Sequence, residues 1–272
     1  MAEIGRQGGG QSCCVIIPAR YASSRFPGKP LARLRGAGGV ERSLVEWTWR
    51  TAREVEGVAS VVVATDDRRI AEEVKRFGGR AVMTPEECAN GTERCAAAVA
   101  ELRQVPEIVI NLQGDAPLTP PAMVEALAAR MAQDPALPVA TPAIACTPEI
   151  TRHLLADRAA GRVGGTTVVL DDRGGALYFS KNVVPFVPEG TDFPVHLHLG
   201  VYAFRPDALA AYAALPPSPL EMVEGLEQLR FLAAGIRVGV VVCGRPEGLI
   251  VELNNPQDVP LIEGELQRRG MN

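Results

Sequence analysis

Short apolar runs alternate with amphipathic stretches through the first half of the 272-residue chain. The apolar runs are CVIIP (14–18), SVVVATDD (Ser60–Asp67), RAVMT (Arg80–Thr84), EIVINLQGD (Glu107–Asp115) and VATPAIAC (Val139–Cys146). Between them lie SLVEWTWRTAREV, RRIAEEVKRFG, TERCAAAVAELR and PAMVEALAARMAQD. A strand without alternating polar positions is buried on both faces. Helices between such strands are the crossovers that a parallel sheet needs. The pattern therefore predicts an α/β fold with helices on both sides of a mainly parallel sheet. Gly78–Gly79 closes one of these helices, as a glycine cap does.

The pattern changes after residue 160. TTVVLDDRGGALYFS (Thr166–Ser180) reads as two strands around a glycine turn, and HLGVYAFR (His198–Arg205) as another strand. This segment, about 160–205, is expected to be an inserted, smaller antiparallel lobe. SPLEMVEGLEQLRFLAAG is expected to be one helix, with Leu220, Val223, Leu226 and Leu229 as its apolar stripe. RVGVVVC returns to a buried strand, and Asn255 or Pro256 should start a C-terminal helix. Residues 13–272 read as one domain, and 1–12, MAEIGRQGGGQS, as a disordered tail without the apolar core of a signal peptide.

The formal net charge of −4 argues against a general nucleic-acid binder. No apolar stretch approaches the roughly 18 residues of a membrane span. The six cysteines form no CxxC and read as free thiols of a cytoplasmic protein. Of 28 basic residues only Lys29, Lys75 and Lys181 are lysine, which points to a GC-rich genome such as that of an actinomycete and makes Lys29 conspicuous.

Lys29 sits in the loop after the first strand, where open parallel sheets bind their ligands. That loop has neither GxGxxG nor GxxxxGK[ST], so neither a dinucleotide site nor a Walker loop is supported. It does carry Arg20, Arg25 and Lys29, the hydroxyls of Ser23 and Ser24, and Gly28, which together suit a polyphosphate. A solvated basic loop is the plain alternative. NLQGDAP ends another strand at Asp115, and a carboxylate facing a phosphate loop is a natural Mg²⁺ ligand. His196 and His198 share a strand face, but a zinc pair lacks a third ligand. No GxSxG motif and no cysteine with an evident base offers a nucleophile.

IIPARYASSRFPGKPL, ATDD, NGTER, NLQGDAP, ALYFS, HLGVYAF and PSPLEMVEGLEQLR together resemble, in this order, the CMP-Kdo synthetase family, from about Val15 to Asp258. Kdo is 3-deoxy-manno-octulosonate. The resemblance implies a nucleotide-diphospho-sugar transferase (Rossmann-like) three-layer fold whose small lobe helps to form a homodimer. It also implies CMP transfer from CTP to a small acidic acceptor, with Mg²⁺ as cofactor and pyrophosphate as co-product. Arg20, Lys29, Arg25 and Asp115 would then be catalytic. Pro18, Ala19, Arg20, Lys29, Asn90, Gly91, Thr92, Arg94 and Gln113 would bind the nucleotide. Arg25, Gln113, His198, Tyr202, Glu224 and Gln228 would face the acceptor, and Asp115 and Asn254 would hold the metal.

Three departures from the family pattern shape the expectation for the acceptor. Ala116 stands where the family has glutamate in QGDEP. Asn254, in LNNPQD, stands where it has a metal-binding aspartate, leaving Glu252 and Asp258 as carboxylates that could compensate. Thr167 and Lys181 replace a lysine and an arginine. A retained nucleotide half with an altered acceptor half suggests phosphonoformate as acceptor, in phosphonate natural-product biosynthesis. The first alternative is a Kdo-like sugar acid for lipopolysaccharide, and the second a catalytically weak nucleotide-binding subunit.

Overall fold

A computed structural model describes residues 12–23, 25–188, 190–191 and 193–272. The expected tail lies outside the described residues apart from Ser12, whose carbonyl accepts from the Glu107 and Ile108 N–H groups. Ser24 also lies outside them.

In chain order the elements are β1 (Cys13–Ala19), β2 (Arg33–Arg35), β3 (Glu41–Ser43), α1 (Leu44–Arg53), β4 (Val58–Thr65), α2 (Arg68–Arg76), β5 (Arg80–Met83), α3 (Gly91–Ala100), β6 (Ile108–Leu112), α4 (Pro121–Gln133), β7 (Val139–Ala145) and α5 (Pro148–Ala159). Then follow β8 (Thr166–Leu170), β9 (Ala176–Ser180), β10 (His196–His198), β11 (Val201–Phe204), α6 (Pro206–Ala214), α7 (Pro219–Glu224), α8 (Leu229–Ala233), β12 (Val238–Cys243) and α9 (Val259–Arg268). One ten-stranded sheet runs in the order β5-β4-β1-β6-β11-β7-β10-β8-β9, with β12 also on β7. The pairs β5–β4, β4–β1, β1–β6 and β7–β12 are parallel. β11, β10, β8 and β9 join antiparallel.

Alternation along β1 explains the two helical layers. Cys14 and Ile16 pack with Cys95 and Ala98 of α3 and Leu209 of α6, while Val15 and Ile17 pack with Val45 of α1, Ile70 of α2 and Val124 of α4. A third cluster, Leu34, Trp47, Leu253, Ile262 and Leu266, fastens α9 to the β2–β3 hairpin. The strands of segment 160–205 all pair antiparallel and belong to the main sheet, β11 lying between β6 and β7 and β9 at the edge. Among the described residues no helix is long and apolar enough to cross a membrane.

The expected single helix at 218–235 is two. Ser218 and Glu221 form a reciprocal capping box that starts α7, and Gly225, at φ +61°, ends it in the left-handed region. The chain then turns and restarts as α8. The break separates the expected stripe: Leu226 and Leu229 are buried, whereas Val223 is 87% exposed.

The turns after β1 and β6 are packed without slack. A Cβ on Gly114 would lie 2.6 Å from the Pro18 carbonyl oxygen. Thr48 of α1 donates to the Gly114 carbonyl at 3.1 Å, and Thr51 to that of Pro117 at 2.7 Å. Gly114→Ala must therefore push the two strand ends apart. Overpacking of this kind costs roughly 1–3 kcal/mol, so urea denaturation should show a lowered midpoint. An unchanged midpoint would mean that the contact yields freely.

Candidate active site

Two clefts open at the carboxyl ends of the parallel strands, where such sheets bind ligands. The first, about 340 Å³, is lined by the loop after β1, the start of α3, the turn after β6 and Asn254. The second, about 560 Å³, lies towards Gly200, Tyr202 and the α7–α8 break. Asn90, Gln113 and Asp115 line both. Whatever fills the first cleft therefore meets the occupant of the second at Gln113 and Asp115.

The basic loop is a folded turn rather than a loose one. Gly28 adopts φ +70°, its N–H donates to the Tyr21 carbonyl at 3.0 Å, and a 3₁₀ turn, Lys29–Leu31, follows. Tyr21 stacks beneath the Arg69 guanidinium, 3.4 Å from its ring centre. Ser23 Oγ accepts from the Phe26 N–H. Pro18, Ala19, Arg20, Arg25 and Lys29 all line the first cleft. Lys29 Nζ is ion-paired with Asp115, and Arg25 Nη2 donates to Asn254 Oδ1 at 3.0 Å. A carboxylate and an amide oxygen thus separate charges that would otherwise repel.

At the start of α3, Asn90 is the cap. Its Oδ1 accepts from the Glu93 N–H at 2.9 Å and its Nδ2 donates to Tyr212 Oη at 2.9 Å. Gly91 lets the Gln113 carboxamide lie against the helix start, because a Cβ there would come 3.0 Å from Gln113 Nε2. Arg94 reaches the cleft wall but is 2% exposed, held by Asp66 at 2.9 Å and Thr84 at 2.7 Å. It braces the ends of β4 and β5. Thr92 lies off both clefts, buried, with its N–H donating to Glu227 at 3.3 Å.

Of the expected acceptor residues, Tyr202 and Gln228 line the second cleft, and Tyr202 Oη donates to Gln228 Oε1 at 3.1 Å. His198 and Glu224 do not line it. His198 is buried, with Nε2 2.8 Å from Thr141 Oγ1 and its ring edge-on to Phe179. Burial pushes its pKa down to about 3, so it is a neutral wall behind Tyr202. Glu224 accepts from Ser180 Oγ at 2.7 Å and the Lys181 N–H at 3.0 Å, tying α7 to β9. The two departures at 116 and 167 also lie away from the clefts. Ala116 is buried in the turn after β6, and Thr167 Oγ1 donates to the Asn182 carbonyl at 2.7 Å.

Three carboxylates of the second cleft, Glu221, Glu227 and Glu252, were not among the expected acceptor residues, and Glu221 is held by Arg230 at 2.6 Å. Glu227 lines the cleft, and desolvation pushes its carboxyl up to about 7. Glu252 is pushed up to about 7 by desolvation and then by the charge of Asp115. The signal for Glu227 was Gly225, a helix stop inside an apparently continuous helix. For Glu252 it was a lone acid inside the apolar run LIVEL. Among the described residues no three His, Cys, Asp or Glu side chains form a metal cage. Magnesium asks for less, one or two carboxylates beside phosphate oxygens and water. Asp115, with Glu252 beside it on the same cleft, fits that donor set. Cys13, Cys14 and Cys95 are buried thiols whose pKa burial raises, that of Cys13 to about 12.

A family model for cytidylyltransferases matches residues 14–238. A 3-deoxy-manno-octulosonate cytidylyltransferase of Maricaulis maris is 46% identical, covering 95% of this chain and 98% of that protein. Its counterpart in Myxococcus xanthus is 42% identical, covering 96% and 99%. Among solved structures, CMP:2-keto-3-deoxy-manno-octonic acid synthetase complexed with CTP superposes with a TM-score of 0.82 at 35% identity, covering 95% of this chain and 99% of that one. A 4-diphosphocytidyl-2C-methyl-D-erythritol synthase from Anaerococcus prevotii shares the fold at 15% identity and a TM-score of 0.59, covering 95% and 97%.

The Glu227 carboxyl sets a pH dependence. A folded-state pKa of about 7 lies above the ordinary value of 4.5, so the folded chain holds this proton more tightly than the unfolded chain does. The stability linked to it is intact below pH 4.5 and is lost as pH rises through 7. Glu227→Gln removes that dependence while keeping an acceptor for the Thr92 N–H. Thermal melts should show the variant gaining on the wild type by a few degrees between pH 5 and pH 8. Parallel pH profiles would put the proton elsewhere.

Proposed function

Since the chain belongs to the cytidylyltransferase family, we propose that it transfers CMP from CTP to a 2-keto-3-deoxy sugar acid of the 3-deoxy-manno-octulosonate type. The family makes it a nucleotidyltransferase, an enzyme and not merely a nucleotide-binding subunit. The observation that carries the acceptor reading is the lining of the second cleft. Its walls offer Tyr202, Glu227, Gln228 and Glu252, and no arginine or lysine is among the described residues that line it. Such walls suit hydroxyl groups, which need paired donors and acceptors. They are a poor match for phosphonoformate, whose charges call for guanidinium forks. The names of the relatives support the same reading, so the expectation of phosphonoformate and of phosphonate biosynthesis is set aside.

In this reading the CTP phosphates lie against Arg20, Arg25 and Lys29, and the pyrimidine lies by the backbone of Pro18–Ala19 and the capped start of α3. The acceptor enters the second cleft with its carboxylate towards the cations at the junction. Its anomeric hydroxyl oxygen bonds to the α-phosphorus as the bond to the β-phosphate oxygen breaks, and pyrophosphate leaves with that electron pair. The hydroxyl proton passes to solvent. No protein nucleophile takes part, and the protein contributes alignment and charge neutralisation. Asp115 would hold magnesium, which when bound supplies positive charge to the phosphate oxygens. A cytoplasmic homodimer completes the reading, with the 160–205 segment as its interface, where Phe186 and Phe193 are exposed.

Pyrophosphate release tests both substrates. With CTP fixed, 3-deoxy-manno-octulosonate should be turned over with a kcat/KM far above that for phosphonoformate. The reverse ranking would overturn the acceptor assignment and leave cytidylyl transfer standing. Purine triphosphates should not replace CTP, and efficient use of ATP would defeat the nucleotide assignment.

Lys29→Ala removes a positioned charge from the phosphates. Loss of one such group costs about 10²–10³ in rate, so steady-state kinetics should show kcat reduced by roughly that factor. A near-normal kcat would return the loop to a solvated basic turn.

A further inference from the structure

We propose that Glu252, and not Asn254, is the second protein ligand of the divalent cation beside Asp115. The inference rests on the cytidylyltransferase reading and deepens it at the same site.

The placement follows from the backbone. The Leu253 N–H donates to the Asp115 carbonyl at 2.9 Å, which docks the 252–254 segment directly on the turn that carries Asp115. Leu253 is fully buried in the α9 cluster with Trp47 and Ile262. In extended chain the neighbours of a core-facing residue point the other way, so Glu252 and Asn254 both face the clefts. They face different ones: Asn254 lines the first and Glu252 the second, while Asp115 lines both. Gly200 leaves room there, since a Cβ on it would already lie 3.4 Å from Glu252 Oε1.

The donor atoms then separate the two candidates. Asn254 Oδ1 already accepts from the Arg25 guanidinium, and its backbone N–H donates to Asp258. Its side chain also lies beside Glu252, whose pKa it lowers. With the oxygen turned to Arg25, the amide nitrogen is the group free to donate to Glu252. A neutral amide can bridge a guanidinium and a carboxylate in this way, whereas an aspartate at 254 could not donate to Glu252 at all. To ligate a cation, Asn254 would have to surrender a charge-assisted bond for a neutral carbonyl contact. Glu252, once ionised, brings a negative charge beside Asp115, and among the described residues it forms no ion pair that a metal would have to break, Lys29 and Arg25 acting on it only as nearby charges. Asp258 is no rival, because it caps its own turn by accepting from the Asn254 and Asn255 N–H groups. Magnesium favours anionic oxygens and takes one or two carboxylates, and Asp115 with Glu252 is the pair that this chain provides. A ligand drawn from position 252 would sit on the acceptor side of Asp115, at the junction where the acceptor oxygen must meet the nucleotide.

The test is Mn²⁺ binding to the full-length chain, followed by the electron paramagnetic resonance signal of free Mn²⁺. Wild-type protein should bind saturably, Glu252→Gln should weaken binding about tenfold or more, and Asp115→Asn should weaken it at least as much. Asn254→Ala should change it by less than about threefold. Melting temperature and metal-free CTP affinity, measured with chelator present, show that each variant is folded. Absent wild-type binding would overturn the inference. So would a Glu252→Gln affinity within twofold of wild type, whether Asn254→Ala then weakens binding or Glu252→Gln instead raises the acceptor KM. Pyrophosphate release by the wild-type enzyme is scored separately. If it persists while the Mn²⁺ ranking fails, the ligand assignment falls and the function stands; if it is absent with CTP and every acceptor, the function falls first.

Discussion

Parallel pairing of β1 with β6 brings together two loops that the sequence holds 86 positions apart, and the site is assembled on their turns. Lys29 from one meets Asp115 from the other, across a seam in which Gly114 lies against the Pro18 carbonyl with no room for a side chain. Both turns sit at the carboxyl ends of their strands, where side chains and free N–H groups point away from the sheet. α1 reinforces the seam through Thr48 and Thr51, and the C-terminal segment is hooked to it by the Leu253 N–H. Residues from near both ends of the chain therefore share one wall.

Charge is sorted along this wall. Arg20, Arg25 and Lys29 gather at the first cleft, while Glu221, Glu227 and Glu252 line the second. Asp115 lies at the junction and answers to both. Such an arrangement suits a reaction that joins a polyphosphate to a hydroxyl-bearing partner. Anionic phosphates are drawn to one end, and the walls of the other end offer hydrogen-bond partners without strong fixed positive charge. The desolvated carboxyls at 227 and 252 both line the second cleft, and burial raises the pKa of each.

Much of the first cleft was legible because it is local. Gly28 must take a left-handed conformation, Asn90 must cap a helix, and Asp115 follows directly on a strand, so short spacing carries the information. The second cleft was less legible because its geometry depends on one backbone event. Gly225 stops α7, and the restart rotates Glu227 and Gln228 towards the cleft while Glu224 turns back to Ser180. Helical spacing read through that glycine placed Val223 in the core, where it is not. Ala116 and Thr167 looked like losses from the acceptor pocket, and both belong to packed turns and strand ends outside it. A substitution relative to a family pattern says that a side chain changed, but not which cavity it faces.

The sequence alone determined the alternation that demands a parallel sheet with two helical layers, the breaks and caps that end its elements, and the cations and carboxylate that line the first cleft. These follow from periodicity and from backbone conformations that only a few residue types permit. Tertiary structure alone decided which groups share a cavity. It set Lys29 on Asp115, gave Asn254 to Arg25, buried His198 as a neutral wall, and delivered Glu252 to the junction from a strand of chain that hydrogen-bonds the Asp115 turn. The physical reason is that strand order and loop docking create these neighbours, and neither leaves a trace in the local spacing of residues.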